Sequence, residues 1–247
     1  MASLAVIGHL SRDVVAGGAP RIGGGPWHAS RALAALGADA VVVAACGAAD
    51  EGAFRTELEG LALPFELHAG RTTTAFSFIY DESGARTMAV GAIGEPFAPE
   101  VDADWVHVAP LLRGDLVVPR AAHVLLDGQG LVRRPALGPL VLDADYDRDA
   151  LRGVSILKLA EEEAAVVGPV DVPELVVTDG LRGATVNGTH IPADPVDADP
   201  TGAGDMFAAA YLAARAAGAE PVEAGRSATA LVSNLLSNSL LQGKTGP

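Results

Sequence analysis

Cysteine occurs once in 247 residues, at Cys46, so no internal disulfide is available to staple the fold. A lone thiol suits a reducing compartment, the cytoplasm, and the apolar run Val41-Val42-Val43-Ala44-Ala45 before it marks a buried structural group rather than a nucleophile. Basic residues are also scarce: 17 Lys and Arg stand against 31 Asp and Glu, a formal net charge of −14. With no basic patch, nucleic acid and anionic membrane are excluded as partners, and the acid excess serves solubility. No apolar run reaches transmembrane length without a charge, Gly or Pro. Met1-Ala2-Ser3 leads straight into a strand, without the pattern of a signal peptide. The six histidines are scattered, with no HExxH and no Cys/His cluster, so a zinc site is not expected. The phosphate loop GxxxxGK[ST] and the dinucleotide fingerprint GxGxxG are both missing, which disfavours a dinucleotide oxidoreductase. No repeat or linker divides residues 1–247, a length that fits one large α/β domain.

What is present centres on Asp199-Pro200-Thr201-Gly202-Ala203-Gly204-Asp205, followed by an Ala-rich apolar run. Pro200 and the glycines forbid a regular element before position 205; beyond it Ala, Leu and Met favour helix to about Ala217, where Gly218 stops it. The small residues 202–204 leave the first-turn N–H groups uncovered, and the helix dipole adds partial positive charge there. Such a turn binds anions. Asp205 in the same turn is badly placed to hold a phosphate but well placed to take a proton from a hydroxyl attacking a phosphoryl group. The plain alternative is an Asp capping a helix after a Gly-rich loop.

Elsewhere, apolar runs alternate with helical patterns. Leu4 to Gly8 and Asp39 to Gly47 read as buried strands, and Glu51 to Leu61 as an amphipathic helix with Phe54, Leu58 and Leu61 inward. Gly23-Gly24-Gly25 opens a helix that ends at Gly37. Thr74 to Tyr80, a turn at 81–84, and Ala85 to Val90 read as a β-hairpin. Further strands are expected at Trp105 to Ala109, His123 to Asp127, Ser155 to Leu159 and Leu175 to Thr178, with helices at Asp115 to Ala122 and Val222 to Leu236. His107, on an apolar strand, reads as a core histidine. The alternation implies a doubly wound, mostly parallel sheet with helices on both faces.

The 199–205 string resembles the C-terminal signature of the ribokinase-like (PfkB) sugar and nucleoside kinases. The resemblance implies that Asp205 is the catalytic base and that the amides of Gly202, Ala203 and Gly204 form an anion hole. Asp13, in the loop after the first strand, stands where the family hydrogen-bonds sugar hydroxyls. Gly24 and Gly25 match the family's Gly-Gly substrate loop, with His28 in place of its Asn. Lys158-Leu159-Ala160-Glu161 resembles the family's Asn-x-x-Glu motif, which implies Glu161 on the hydration shell of Mg²⁺ and Lys158 near the phosphates. Thr178, Asp179, Gly180 and Gly183 resemble its nucleotide loop, and Thr201 joins them. The expected activity is transfer from ATP, with Mg²⁺, to a hydroxyl of a sugar, a polyol such as inositol, or a nucleoside. A sensor that keeps the fold without transfer is the alternative. Residues 74–90 would form a reduced lid, since only Val14 to Ile22 stands where the family has its other lid strands. A hairpin so exposed either folds down onto its own domain or is covered by a second chain, and the second, a homodimer, is the expectation.

Overall fold

The computed structural model describes residues 3–15, 18–80, 86–196 and 200–243. The hairpin turn expected at 81–84 and Asp199 of the signature string lie outside these. The first strand, β1 (Leu4–His9), is buried along its whole length. Leu4 and Val6 join one apolar cluster while Ala5 and Ile7 join another on the opposite face. Cover on both faces explains why the strand is apolar without interruption.

In chain order there follow β2 (Ser11–Val15), β3 (Arg21–Gly23), α1 (Gly25–Leu36), β4 (Ala40–Gly47), α2 (Glu51–Glu59), β5 (Phe65–Gly70), β6 (Thr74–Tyr80), β7 (Arg86–Ala92), β8 (Trp105–Ala109), β9 (His123–Asp127) and α3 (Gln129–Val132). Then come β10 (Gly138–Pro139), β11 (Ile156–Ala160), α4 (Glu161–Val167), β12 (Glu174–Thr178), β13 (Ala184–Val186), β14 (Thr189–Ile191), α5 (Ala203–Ala216) and α6 (Pro221–Gly243). Among the described residues the main sheet has nine strands in the order β14-β13-β12-β11-β9-β8-β1-β4-β5. All its pairings are parallel except β12 with β13 and β13 with β14. Helices α1, α5 and α6 cover one face, where Leu33, Met206, Phe207 and Tyr211 pack on Leu4, Leu125 and Ile156. α4 and the loops around α3 cover the other. Met206 to Leu212 are buried on every side, which places α5 at the centre of its layer and accounts for its alanines. Cys46 is buried, and burial, followed by Asp50 and Glu51, pushes its thiol up to about 11, as suits an inert structural group.

Three expectations are corrected. Residues 115–122 form no helix: the Asp115 carboxylate accepts N–H bonds from Leu111 and Leu112 at 2.8 and 2.9 Å, and Leu116 bridges to Phe97. Pro119 also holds Val118 away from helical geometry. The last helix is longer than expected, running from Pro221 to Gly243. The hairpin of β6 and β7 does not stand alone: β2 pairs with β6 in parallel, β3 with β2 and β10 with β7, giving a second sheet of order β10-β7-β6-β2-β3. The short run after Asp13 therefore does supply flanking strands. Phe76 and Phe78 are buried with Val90, Leu111 and Leu112 of their own chain. The case for a second copy that rested on a lone hairpin falls away.

Candidate active site

The parallel order changes direction about β1, which has β4 on one side and β8 on the other. Ligands in open α/β sheets bind beyond the carboxyl ends of strands at such a point. Here a cavity of about 470 Å³ opens there, between the main sheet and the second sheet. That volume lies in the range of small-molecule sites. Every site residue expected from the sequence lines it: Asp13, Gly24, Gly25, His28, Lys158, Glu161, Thr178, Asp179, Gly180, Gly183, Thr201, Gly202, Ala203, Gly204 and Asp205.

Gly202 is the residue before α5 and takes the left-handed conformation, φ 79°, with no side chain capping the turn. A Cβ there would overlap the His28 ring, so the turn and α1 touch through a position that only glycine fits. The N–H of Ala203 donates to the Pro200 carbonyl at 2.9 Å, which spends on the turn itself one of the three amides assigned to anion binding. Asp205 sits in the first turn of α5. Burial pushes its carboxyl up to about 6; the Asp127 carboxylate adds to this, while Lys158, His107 and Arg133 pull the other way. A base poised near neutral pH is what proton abstraction needs.

Under this turn lies a buried polar network that the sequence reading did not find. Lys158 Nζ donates to Asp127 Oδ1 at 2.7 Å, and His107 Nε2 lies 3.0 Å from Asp127 Oδ2. All three are almost without solvent contact. His107 is a core histidine, as expected, but its partner is a carboxylate. Burial alone would favour a neutral Asp127, yet Lys158 and His107 hold its carboxyl below the usual range. Burial likewise opposes the Lys158 ammonium, yet Asp127, Glu163 and Asp205 hold its pKa above that of an ordinary lysine. A Cβ at Gly204 would come within 2.8 Å of Lys158 Nζ, so the ammonium supports the turn from below.

Asp127 begins a segment that delivers two more polar groups. Gln129 Nε2 reaches Asp205 Oδ1 at 3.5 Å, and Arg133 Nη2 lies 3.4 Å from Glu163 Oε1. Gly128 and Gly130 let this turn sit tight: a Cβ at either would overlap Leu159 or Pro110. Polar residues spaced by glycines directly after a strand, Asp127-Gly128-Gln129-Gly130, were the available signal.

At one end of the cavity, Asp13 projects from β2, 4% exposed, and accepts from Ser11 Oγ at 2.7 Å. Gly24, φ 96°, brings the backbone against His9 and Leu10, where a Cβ has no room. Phe76, Phe78, Met88 and Leu111 complete an apolar wall opposite these polar groups. On the far side, Thr178 to Gly183 form a tight turn in which Asp179 N–H donates to the Gly183 carbonyl at 2.8 Å. Asp179 pairs with Arg182, which also reaches Glu161 at 2.8 Å. Apolar groups of α6, Val232 and Leu236, and Val196 extend this end of the cavity. Glu161 is exposed at its rim, whereas Glu163 is buried and accepts the Ala160 N–H at 2.9 Å.

Residues 144–242 match the sequence profile of the pfkB family carbohydrate kinases. The chain is 35% identical over 141 residues to an inositol 3-kinase of Zea mays, a match that covers 54% of this chain and 35% of that protein. The chain thus spans about a third of the maize protein. It is 28% identical over 218 residues to an ATP-dependent ribose-1-phosphate kinase of Halopiger xanaduensis, covering 77% of this chain and 72% of that one. Among solved structures, a pyrophosphate-dependent kinase of the ribokinase family, complexed with a pyrophosphate analogue and myo-inositol, superposes with a TM-score of 0.82 at 21% identity over 94% of each chain.

Proposed function

We propose that this chain, whose residues 144–242 match the pfkB family carbohydrate kinases, is a kinase of that family and transfers the terminal phosphoryl group of ATP to a hydroxyl of a small polyhydroxy acceptor, an inositol before sugars or nucleosides. The observation that carries this reading is Asp205: a carboxylate poised near neutral pH at an open helix turn, in one cavity with Asp13. Asp13 accepts hydrogen bonds from acceptor hydroxyls. Asp205 takes the proton of the attacking one, and the first turn of α5 meets the phosphoryl charge. The inositol preference draws on the maize relative.

Among the described residues no cluster of three or more His, Cys, Asp or Glu would hold a metal. Mg²⁺ needs none, since it keeps several waters and takes one or two carboxylates besides the donor phosphates. The single rim carboxylate of Glu161 fits that manner of binding, touching the ion's water shell. Bound with the donor, Mg²⁺ would offset phosphate charge.

The cleft between the 178–183 turn and α6, walled by Leu181, Val196, Val232 and Leu236, suits a flat base and favours ATP. Pyrophosphate is the second reading for the donor, because a kinase so described shares the fold over nearly the whole chain. A non-catalytic sensor has no use for a base at the anion-binding turn. A coupled assay of ADP or phosphate release, run with ATP and with pyrophosphate across inositols, sugars and nucleosides, tests all three. Turnover on an inositol with ATP is expected; ligand binding without turnover on any pair would establish the sensor instead.

A further inference from the structure

The cavity is acidic. Seven Asp and Glu side chains line it against two cations, Arg133 and Lys158. A group in flight between two oxygens carries charge on its equatorial oxygens, and so much acid around it needs an answering cation inside the site. Lys158 is committed to Asp127 at 2.7 Å below the turn. Arg182, outside the lining, is tied to Asp179 and Glu161 at the exposed rim. Arg133 is different. Its only charged contact among the described residues is a long one, 3.4 Å to Glu163, and its Nε is buried with no hydrogen-bond partner. An unmet buried donor calls for an explanation, and a ligand is one. Its base is rigid: the Arg133 N–H donates to the Gln129 carbonyl, its own carbonyl accepts from Arg113, and it bridges to Leu142. One turn earlier, Gln129 reaches Asp205, and the Arg133 charge is itself felt at that carboxyl.

We propose that Arg133 is a catalytic residue of the transfer, its guanidinium meeting the phosphoryl group between the first turn of α5 and the acceptor hydroxyl. This rests on the kinase reading above. In the step, the bond from the acceptor oxygen to phosphorus forms and the bond from phosphorus to the donor's leaving oxygen breaks. The hydroxyl proton goes to Asp205, and the leaving group departs as ADP. Arg133 gains and loses no proton; it moves from its loose contact with Glu163 onto the phosphoryl oxygens. The planar fork of an arginine matches that geometry better than a point charge does.

The test is steady-state kinetics of Arg133→Gln, Arg133→Lys and Arg133→Ala in the full chain, with ATP, Mg²⁺ and myo-inositol. Loss of one such donor typically lowers kcat by about 10²–10³-fold. That fall is expected for Gln, with the acceptor KM changed only a few-fold, and a partial recovery for Lys. Added guanidinium restoring turnover to Arg133→Ala is the readout that a merely structural role would not move. Should the Gln and Ala variants not fold, Arg133→Lys carries the test: a kcat equal to wild type overturns the role. A loss confined to the acceptor KM also overturns it, by making Arg133 a reader of the acceptor. Wild-type protein that turns over no acceptor with either donor fails earlier, and removes the kinase reading along with this one.

Discussion

Lys158 and Asp127 form an ion pair 2.7 Å long directly under the first turn of α5, with side chains 7% and 0% exposed. The pair is the foundation on which that turn stands, with Lys158 Nζ 2.8 Å from where a Gly204 Cβ would sit. Removing one partner strands a buried charge, which typically costs about 3–5 kcal/mol. Lys158→Met, which leaves Asp127 and Asp205 facing each other, should lose that much stability in urea unfolding. A loss below about 1 kcal/mol would show that the pair is not structural.

The acidity of Asp205 gives a pH signature. Its carboxyl must be ionised to accept a proton, and burial holds its pKa up at about 6. Activity, read as kcat/KM, should rise with pH through that value with one ionisation and then level off. Asp127 is among the groups that raise Asp205, so Asp127→Asn should move the rise to lower pH; Lys158 lowers it, so Lys158→Met should move it up. Asp205→Asn should abolish the rise and lower kcat by about 10²–10⁴-fold or more. Identical profiles in all four proteins would detach the limb from this carboxyl.

Gly202 and Gly218 make a controlled pair. Both have positive φ, 79° and 91°. A left-handed alanine costs roughly 1–2 kcal/mol. A Cβ at Gly202 overlaps His28, whereas one at Gly218 meets nothing within 4 Å. Gly218→Ala should lose stability alone. Gly202→Ala should lose stability and most of its turnover, because the turn must move. Equal activity in the two would show that the turn has slack.

Phe76 is 5% exposed in the second sheet and also lines the cavity that holds Asp13. Phe76→Ala should cost about 3–5 kcal/mol, while Phe76→Leu should keep the fold and raise the acceptor KM. Asp13→Ala should weaken the acceptor and leave ATP binding unchanged. Calorimetry with each ligand separately checks both.

What was legible in the sequence was what local chemistry dictates. Asp205 and the glycines before it announce a helix start, and a buried parallel strand such as β1 announces itself by unbroken apolarity. What was not legible depends on distant partners. His107 looks like any histidine on an apolar strand until Asp127, twenty residues on, is placed beside it. Gln129 opens a helix of four residues, too short to show a period, and Arg133 follows it directly. Asp115 to Ala122 has helix-like composition, but backbone bonds to Asp115 and the position of Pro119 decide otherwise. The second sheet was under-read because β2 and β3 are short strands, β2 held by pairing with β6 and β3 by pairing with β2.

The apolar wall that β6 lends to the cavity bears on fidelity. On the proposed reading, a base at Asp205 would act on any O–H within reach, and water carries two. Phe76, Phe78 and Leu111 offer water no hydrogen bond, so a seated polyol leaves it no lodging beside the base. On that reading the coupling between donor consumed and product formed would be set by aromatic rings rather than by the carboxylate: thin the wall, and the same chemistry would spill phosphate into solvent.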